Sequence, residues 1–211
     1  MAQDALGRPR KATWGWLSAQ RTAFIELAEA SGLQHLTGDE RNALHTSTFG
    51  VGELLLAALD QGAEKALLLL GGSATNDGGA GMLQALGTRF LDQNDEPLPP
   101  GGAALSQLTR LTLDGLDPRL ASLTLEAAVD VDNPLLGVRG ASAVFGPQKG
   151  ASPEEVEQLD RALGHFADIS AQILGEDYRT LPGAGAAGGI GFAAKAFLNA
   201  TLKPGIEMIM Q

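Results

Sequence analysis

The stretch KALLLLGGSATNDGGAGMLQALG, residues 65–87, decides how this chain is to be folded. Lys65–Leu70 reads as a buried strand. It runs into Gly71, Gly72, Gly78, Gly79 and Gly81, interleaved with Ser73, Thr75, Asn76 and Asp77. Met82–Leu86 then reads as a helix. Upstream, an amphipathic helix carrying Leu54, Leu55, Leu56 and Leu59 starts near Gly50–Gly52 and stops at Gly62. Helix, strand, glycine loop and helix in that order predict an α/β fold. The expectation is a single domain with a mixed or mostly parallel sheet flanked by helices.

The 211 residues suffice for a real core, and no obvious linker divides them. Apolar residues at 44% and charged residues at 19% are globular proportions. A net charge of −10 argues against nucleic acid or anionic membrane as a partner, since both call for a basic surface. The absence of cysteine excludes disulfides, thiolate metal sites and a cysteine nucleophile. No run approaches the roughly 18 apolar residues of a membrane span, and the N-terminus lacks the apolar core of a signal peptide. A cytoplasmic protein is therefore expected. The 28 glycines are about twice the ordinary share of ~7% and they cluster, so particular backbone conformations are needed at a few places.

Further along, residues 21–33 read as a strand turning into a short helix ended by Gly32. Leu123, Leu125, Ala127, Val129 and Val131 alternate, which predicts a strand with Glu126, Ala128, Asp130 and Asp132 on its other face. Ser152 as N-cap, Pro153 at the first helical position and Glu155 two further on form a capping box. The helix they open carries Val156, Leu159, Leu163, Phe166 and Ile173 as its apolar stripe and ends at Gly175. The closing segment PGIEMIMQ reads as the start of a strand or helix.

Four stretches could carry chemistry. In residues 71–81, glycine-loop N–H groups aimed at a helix N-terminus make an anion site, and Ser73, Thr75 and Asn76 add donors. No lysine lies within the loop, so it is not a Walker A motif. A tight strand-to-helix connection capped by Asn76 or Asp77 is an equally good reading. The second is Asp130-Val131-Asp132-Asn133-Pro134, whose two carboxylates would share a strand face and could bind Mg²⁺, or simply cap a turn. Third, Lys149, between Gly146 and Gly150, could neutralise a phosphate or carboxylate, though a lysine is more often a surface residue. The fourth, Gly183–Gly188, spells G-x-G-x-x-G, but no apolar strand precedes it and Pro182 does, which demotes a dinucleotide fingerprint. Thr46, Ser47 and Thr48 read first as helix caps.

In order, residues 47–62 (STFGVGELLLAALDQG), 71–87, 130–152 (DVDNPLLGVRGASAVFGPQKGAS) and 181–198 (LPGAGAAGGIGFAAKAFL) resemble the signatures of bacterial glycerate kinases that make 2-phosphoglycerate. The resemblance runs from about Leu6 to Ile206. It implies ATP- and Mg²⁺-dependent phosphoryl transfer to D-glycerate. It also implies ligand contacts at Gly71, Gly72, Ser73, Ala74, Thr75, Asn76, Asp77, Gly78 and Gly79. Asp130 and Asp132 become metal and catalytic candidates, with one aspartate taking the hydroxyl proton, and Asn133 a substrate contact. Lys149 or Arg139 would supply cationic help at the transferring group.

Members of that family are longer at both ends. The N-terminal Asp-Gly-Gly-Glu-Gly and C-terminal Thr-Gly-Glu-Gly stretches have no counterpart here. Residues 1–211 are thus expected to be the central, inserted domain of a two-domain enzyme and inactive alone, with the second domain as partner and homo-oligomerisation left open. The competing reading is a non-catalytic module that binds a small acid or a nucleotide. A nucleotide-dependent oxidoreductase resting on Gly183–Gly188 ranks last.

Overall fold

The structure, a computed structural model, describes residues 1–209. The two residues after Ile209, the tail of the closing segment, lie outside that range. A hairpin, β1 (Ala2–Gln3) and β2 (Pro9–Arg10), leads to β3 (Gly15–Leu17) and β4 (Thr22–Glu26). α1 (Leu27–Ser31) and α2 (Phe49–Asp60) precede β5 (Lys65–Leu69), and α3 (Ala80–Ala85) follows it. A ribbon of β6 (Arg89–Leu91) and β7 (Arg110–Thr112) then leads to β8 (Thr124–Ala128). The chain continues through α4 (Ala141–Phe145), α5 (Pro153–Leu174), α6 (Ala186–Leu198), β9 (Thr201–Lys203) and α7 (Gly205–Ile209).

The central sheet runs β3-β4-β5-β8-β9. β3 lies antiparallel on β4, and every other pairing is parallel. This is the mostly parallel α/β arrangement that residues 65–87 predict. Ala23, Ile25, Ala66, Leu68, Leu125 and Ala127 share one sheet face by register and are buried in the main core. Phe166 of α5 and Phe192 of α6 belong to the same core, with ring centroids 5.5 Å apart, and Phe90 stands 5.4 Å from Phe166.

Local chemistry explains the elements. Ser152 Oγ accepts from Glu155 N at 3.2 Å while Glu155 Oε2 accepts from Ser152 N at 2.8 Å, and Gly175 closes α5 at φ 73°. Leu159, Leu163 and Phe166 are buried as the stripe requires, whereas Ile173, in the last turn, is 42% exposed. α2 and α3 pack closely because Gly52 has no side chain: a Cβ there would stand 2.6 Å from Ala85 Cβ.

One expectation is corrected. β8 stops at Ala128, so Asp130 and Asp132 do not share a strand face. The last ladder bond, Val129 N to Lys203 O at 2.8 Å, is reached just as β9 ends, and beyond it no partner strand is left to hold the chain extended. No helix among the described residues is long and apolar enough to cross a membrane.

Candidate functional site

The parallel strands β5 and β8 end side by side, and the crevice beyond the carboxyl ends of such strands is where open α/β sheets bind ligands. Here it holds a cavity of about 190 Å³, lined among others by Gly71, Gly72, Ser73, Asp130, Lys149 and Ala187. Residues separated by up to 116 positions therefore meet at one place.

The glycine loop divides into an outer and an inner half. Gly72 takes φ 73°, and its carbonyl accepts from Leu33 N at 2.9 Å, which turns residues 71–73 toward the cavity. Ser73 Oγ accepts from Thr75 N at 3.2 Å and lies 3.0 Å from Thr75 Oγ1. The inner half is an anchor. Ala74, Thr75, Asn76, Asp77, Gly78 and Gly79 are all buried. Asp77 accepts from Thr48 N at 2.9 Å, Thr48 Oγ1 at 2.9 Å, Gly79 N at 3.0 Å and Gly81 N at 3.1 Å. Burial pushes its carboxyl up, and the bonds from Thr48, Gly81 and Gly79 only partly offset this. Asn76 Nδ2 donates to Ser142 Oγ at 2.8 Å, and its Oδ1 is buried with no partner among the described residues.

Lys149 is 2% exposed, not a surface lysine. Its Nζ donates to Thr75 O at 2.7 Å, so it supports the glycine loop from below while lining the cavity. Desolvation lowers its pKa to about 7, against the attraction of the Asp77 charge. A group so poised can carry or release a proton near neutral pH.

The acidic loop is split between two places. Asp130 lines the cavity and accepts from Gly205 N at 2.8 Å, which leaves acceptor capacity free. Asp132 and Asn133 line an adjoining open cleft that Asp130 also borders. There Asp132 is paired with Arg139 at 3.1 Å, and Asn133 Nδ2 donates to Arg139 O at 2.7 Å. Among the described residues, no group of three or more His, Asp or Glu could by itself hold a metal. Asp130 and Asp132 are hard oxygen donors, of the kind that can share Mg²⁺ with phosphate oxygens, one or two carboxylates at a time.

The second glycine loop packs on the first. Gly78 N donates to Gly188 O at 2.8 Å, and Ala187, Gly188 and Gly189 all take positive φ. No strand leads into Gly183, so the nucleotide-fingerprint pattern lacks its structural context. Sequence reasoning missed Thr48 as the partner of Asp77. Its hydroxyl makes no cap on α2; it bonds Asp77 and accepts from Met82 N at 2.9 Å. The run of hydroxyls before α2 was the only signal, and it pointed to capping.

Comparison with known proteins adds to this geometry. A family model described as "Glycerate kinase family" matches residues 1–211. The chain is 52% identical over 206 residues to a glycerate kinase of Bacillus subtilis, covering 98% of this chain and 54% of that one. It is 48% identical over 204 residues to the glycerate 2-kinase of Escherichia coli, covering 97% and 54%. The crystal structure of a putative glycerate kinase 2 from Salmonella typhimurium superposes with a TM-score of 0.97 at 48% identity, covering 99% of this chain and 56% of that one. The chain thus spans about half the length of these relatives.

Proposed function

The chain belongs to the glycerate kinase family, and from that premise we propose that it is the central domain of an ATP-dependent kinase that phosphorylates D-glycerate to 2-phosphoglycerate. One observation carries the reading: the Gly71–Ser73 loop, Asp130 and Lys149 converge on one cavity at the carboxyl ends of β5 and β8. Phosphoryl transfer asks a protein chiefly for positioning and for charge where the phosphoryl oxygens sit. Loop N–H groups and the Ser73 hydroxyl bind those oxygens, and protonated Lys149 adds the positive charge that the loop itself lacks. Asp130, with Asp132 reaching in from the adjoining cleft, would hold Mg²⁺, whose charge offsets that of the phosphates. One of the two aspartates accepts the proton of the attacking hydroxyl as its oxygen bonds to the γ-phosphorus and the bond to the ADP oxygen breaks.

In this proposal residues 1–211 form the inserted domain, and the rest of the parent polypeptide supplies a second domain that completes the site. A cytoplasmic setting suits substrates of this kind. The test is calorimetry of this chain with ATP–Mg²⁺ and with glycerate, repeated on Lys149→Met and Asp130→Asn. At least one ligand binds, and each variant weakens it about tenfold or more. In the full-length parent, Asp130→Asn or Asp132→Asn lowers kcat by about a hundredfold or more. Near-normal turnover in both would remove the two carboxylates from the mechanism. If ligand binding persists while the parent never turns over glycerate, the protein is instead a non-catalytic binding module.

A further inference from the structure

The central sheet carries the main core on one face, and its other face is open in part. Residues on the other face, by register, are Leu17, Phe24, Leu67, Leu69, Glu126, Ala128 and Lys203. None of them belongs to the main core, and Leu67, Leu69 and Ala128 form a small cluster of their own. Leu17 is 41% and Phe24 39% exposed. Leu67, Glu126 and Ala128 are already buried, so the open part of this face is its β3–β4 end; parallel strands are ordinarily buried on both faces, and there the layer is incomplete.

The same face carries a charged ladder. Glu126 Oε1 accepts from Lys203 Nζ at 3.0 Å and pairs with Lys65 Nζ at 3.2 Å. Its other oxygen, Oε2, is buried and has no partner among the described residues. A buried carboxylate oxygen without a donor is costly. The relatives matched over nearly all of this chain have almost as much polypeptide again outside the match. That polypeptide is the available cover.

We propose that the remaining half of the full-length protein docks on this sheet face. It lays an apolar layer on Leu17 and Phe24 and along the partly exposed Leu69. The proposal rests on the reading that this domain works within a longer chain. It deepens that reading by saying where the second unit sits. Ala128 both ends the face and lines the cavity, so a unit docked there borders the glycine loop and Asp130.

The chain has no cysteine, so a single introduced thiol reports on one position. Phe24→Cys and, separately, Leu17→Cys are made in the 211-residue chain and in the same chain carrying the flanking segments of the Salmonella relative, with cysteines in those segments replaced by serine. Maleimide labelling is followed without substrate, and Ile173→Cys on α5 is the control. Both face positions label at least tenfold more slowly in the longer protein than in the short one, while the control labels alike in both. Equal reactivity of the face positions in the two proteins overturns the proposal. So does protection already present in the short chain and relieved by dilution, which would make a second copy of the chain the occupant. Labelling needs no turnover. If the longer protein protects the face yet fails to phosphorylate glycerate, the docking stands and the functional reading falls; the reverse result sinks docking alone.

Discussion

Lys149 and Asp77 are two buried charges on either side of one loop, and their environments set testable behaviour. The folded protein disfavours the Lys149 ammonium, whose pKa falls from 10.5 to about 7. Between these values the unfolded chain binds a proton that the folded chain does not, so stability rises with pH across this window. Lys149→Met removes the cost of burying the ammonium. The variant should be more stable than the parent at pH 6, by about 2 kcal/mol after the lost bond to Thr75 O and the lost attraction to Asp77 are allowed for. That advantage should shrink as the pH approaches 10. Urea unfolding at several pH values checks it, and a difference independent of pH would show that the buried ammonium stays charged throughout. Asp77→Asn places an amide NH₂ against N–H groups that all point inward, so it should cost about 2–3 kcal/mol even though size is conserved. Neither residue's burial could be read in advance. Asp77 meets Thr48 across 29 positions, and Lys149 meets Thr75 across 74.

At the scale of elements, what was legible was what neighbours in sequence decide. The α5 capping box is contained in Ser152–Glu155, and Ser152→Ala should lower stability by about 1 kcal/mol in thermal or urea melts. Strand β5 and the helix after its loop were legible for the same reason, since hydrophobic pattern and glycine placement are local. The acidic stretch misled because alternation over residues 123–131 continues past the point where β9 can pair. Contact between the two glycine loops is a further element-level feature. Gly188 sits at φ 66°, and a Cβ there would collide with the Thr75 carbonyl. Gly188→Ala should therefore destabilise by about 3 kcal/mol or more, combining backbone strain with overpacking. Gly38→Ala, with open space around it, is the matched control and should be nearly neutral. Equal urea midpoints for the two variants would contradict this account of the loop contact.

For the molecule as a whole, the proposed split site predicts that this chain alone shows no glycerate-dependent ADP formation, while still binding one of the substrates. A coupled ADP assay on the purified chain decides the point, and robust activity would mean that the cavity beyond β5 and β8 needs no second domain. The sequence by itself determined the fold class, the main helix and its cap, and the set of stretches in which chemistry could reside, because propensity, periodicity and capping act over a few residues. It also carried the family resemblance, spread over four stretches in order. Only the tertiary structure decided which of those stretches meet. It separated the cavity-facing Gly71, Gly72 and Ser73 from the buried anchor of Thr75, Asn76 and Asp77. It put Asp130 and Asp132 in adjoining clefts, drew Lys149 out of solvent, and left one sheet face partly open. Those outcomes depend on long-range packing and desolvation, which arise only when distant segments exclude water together.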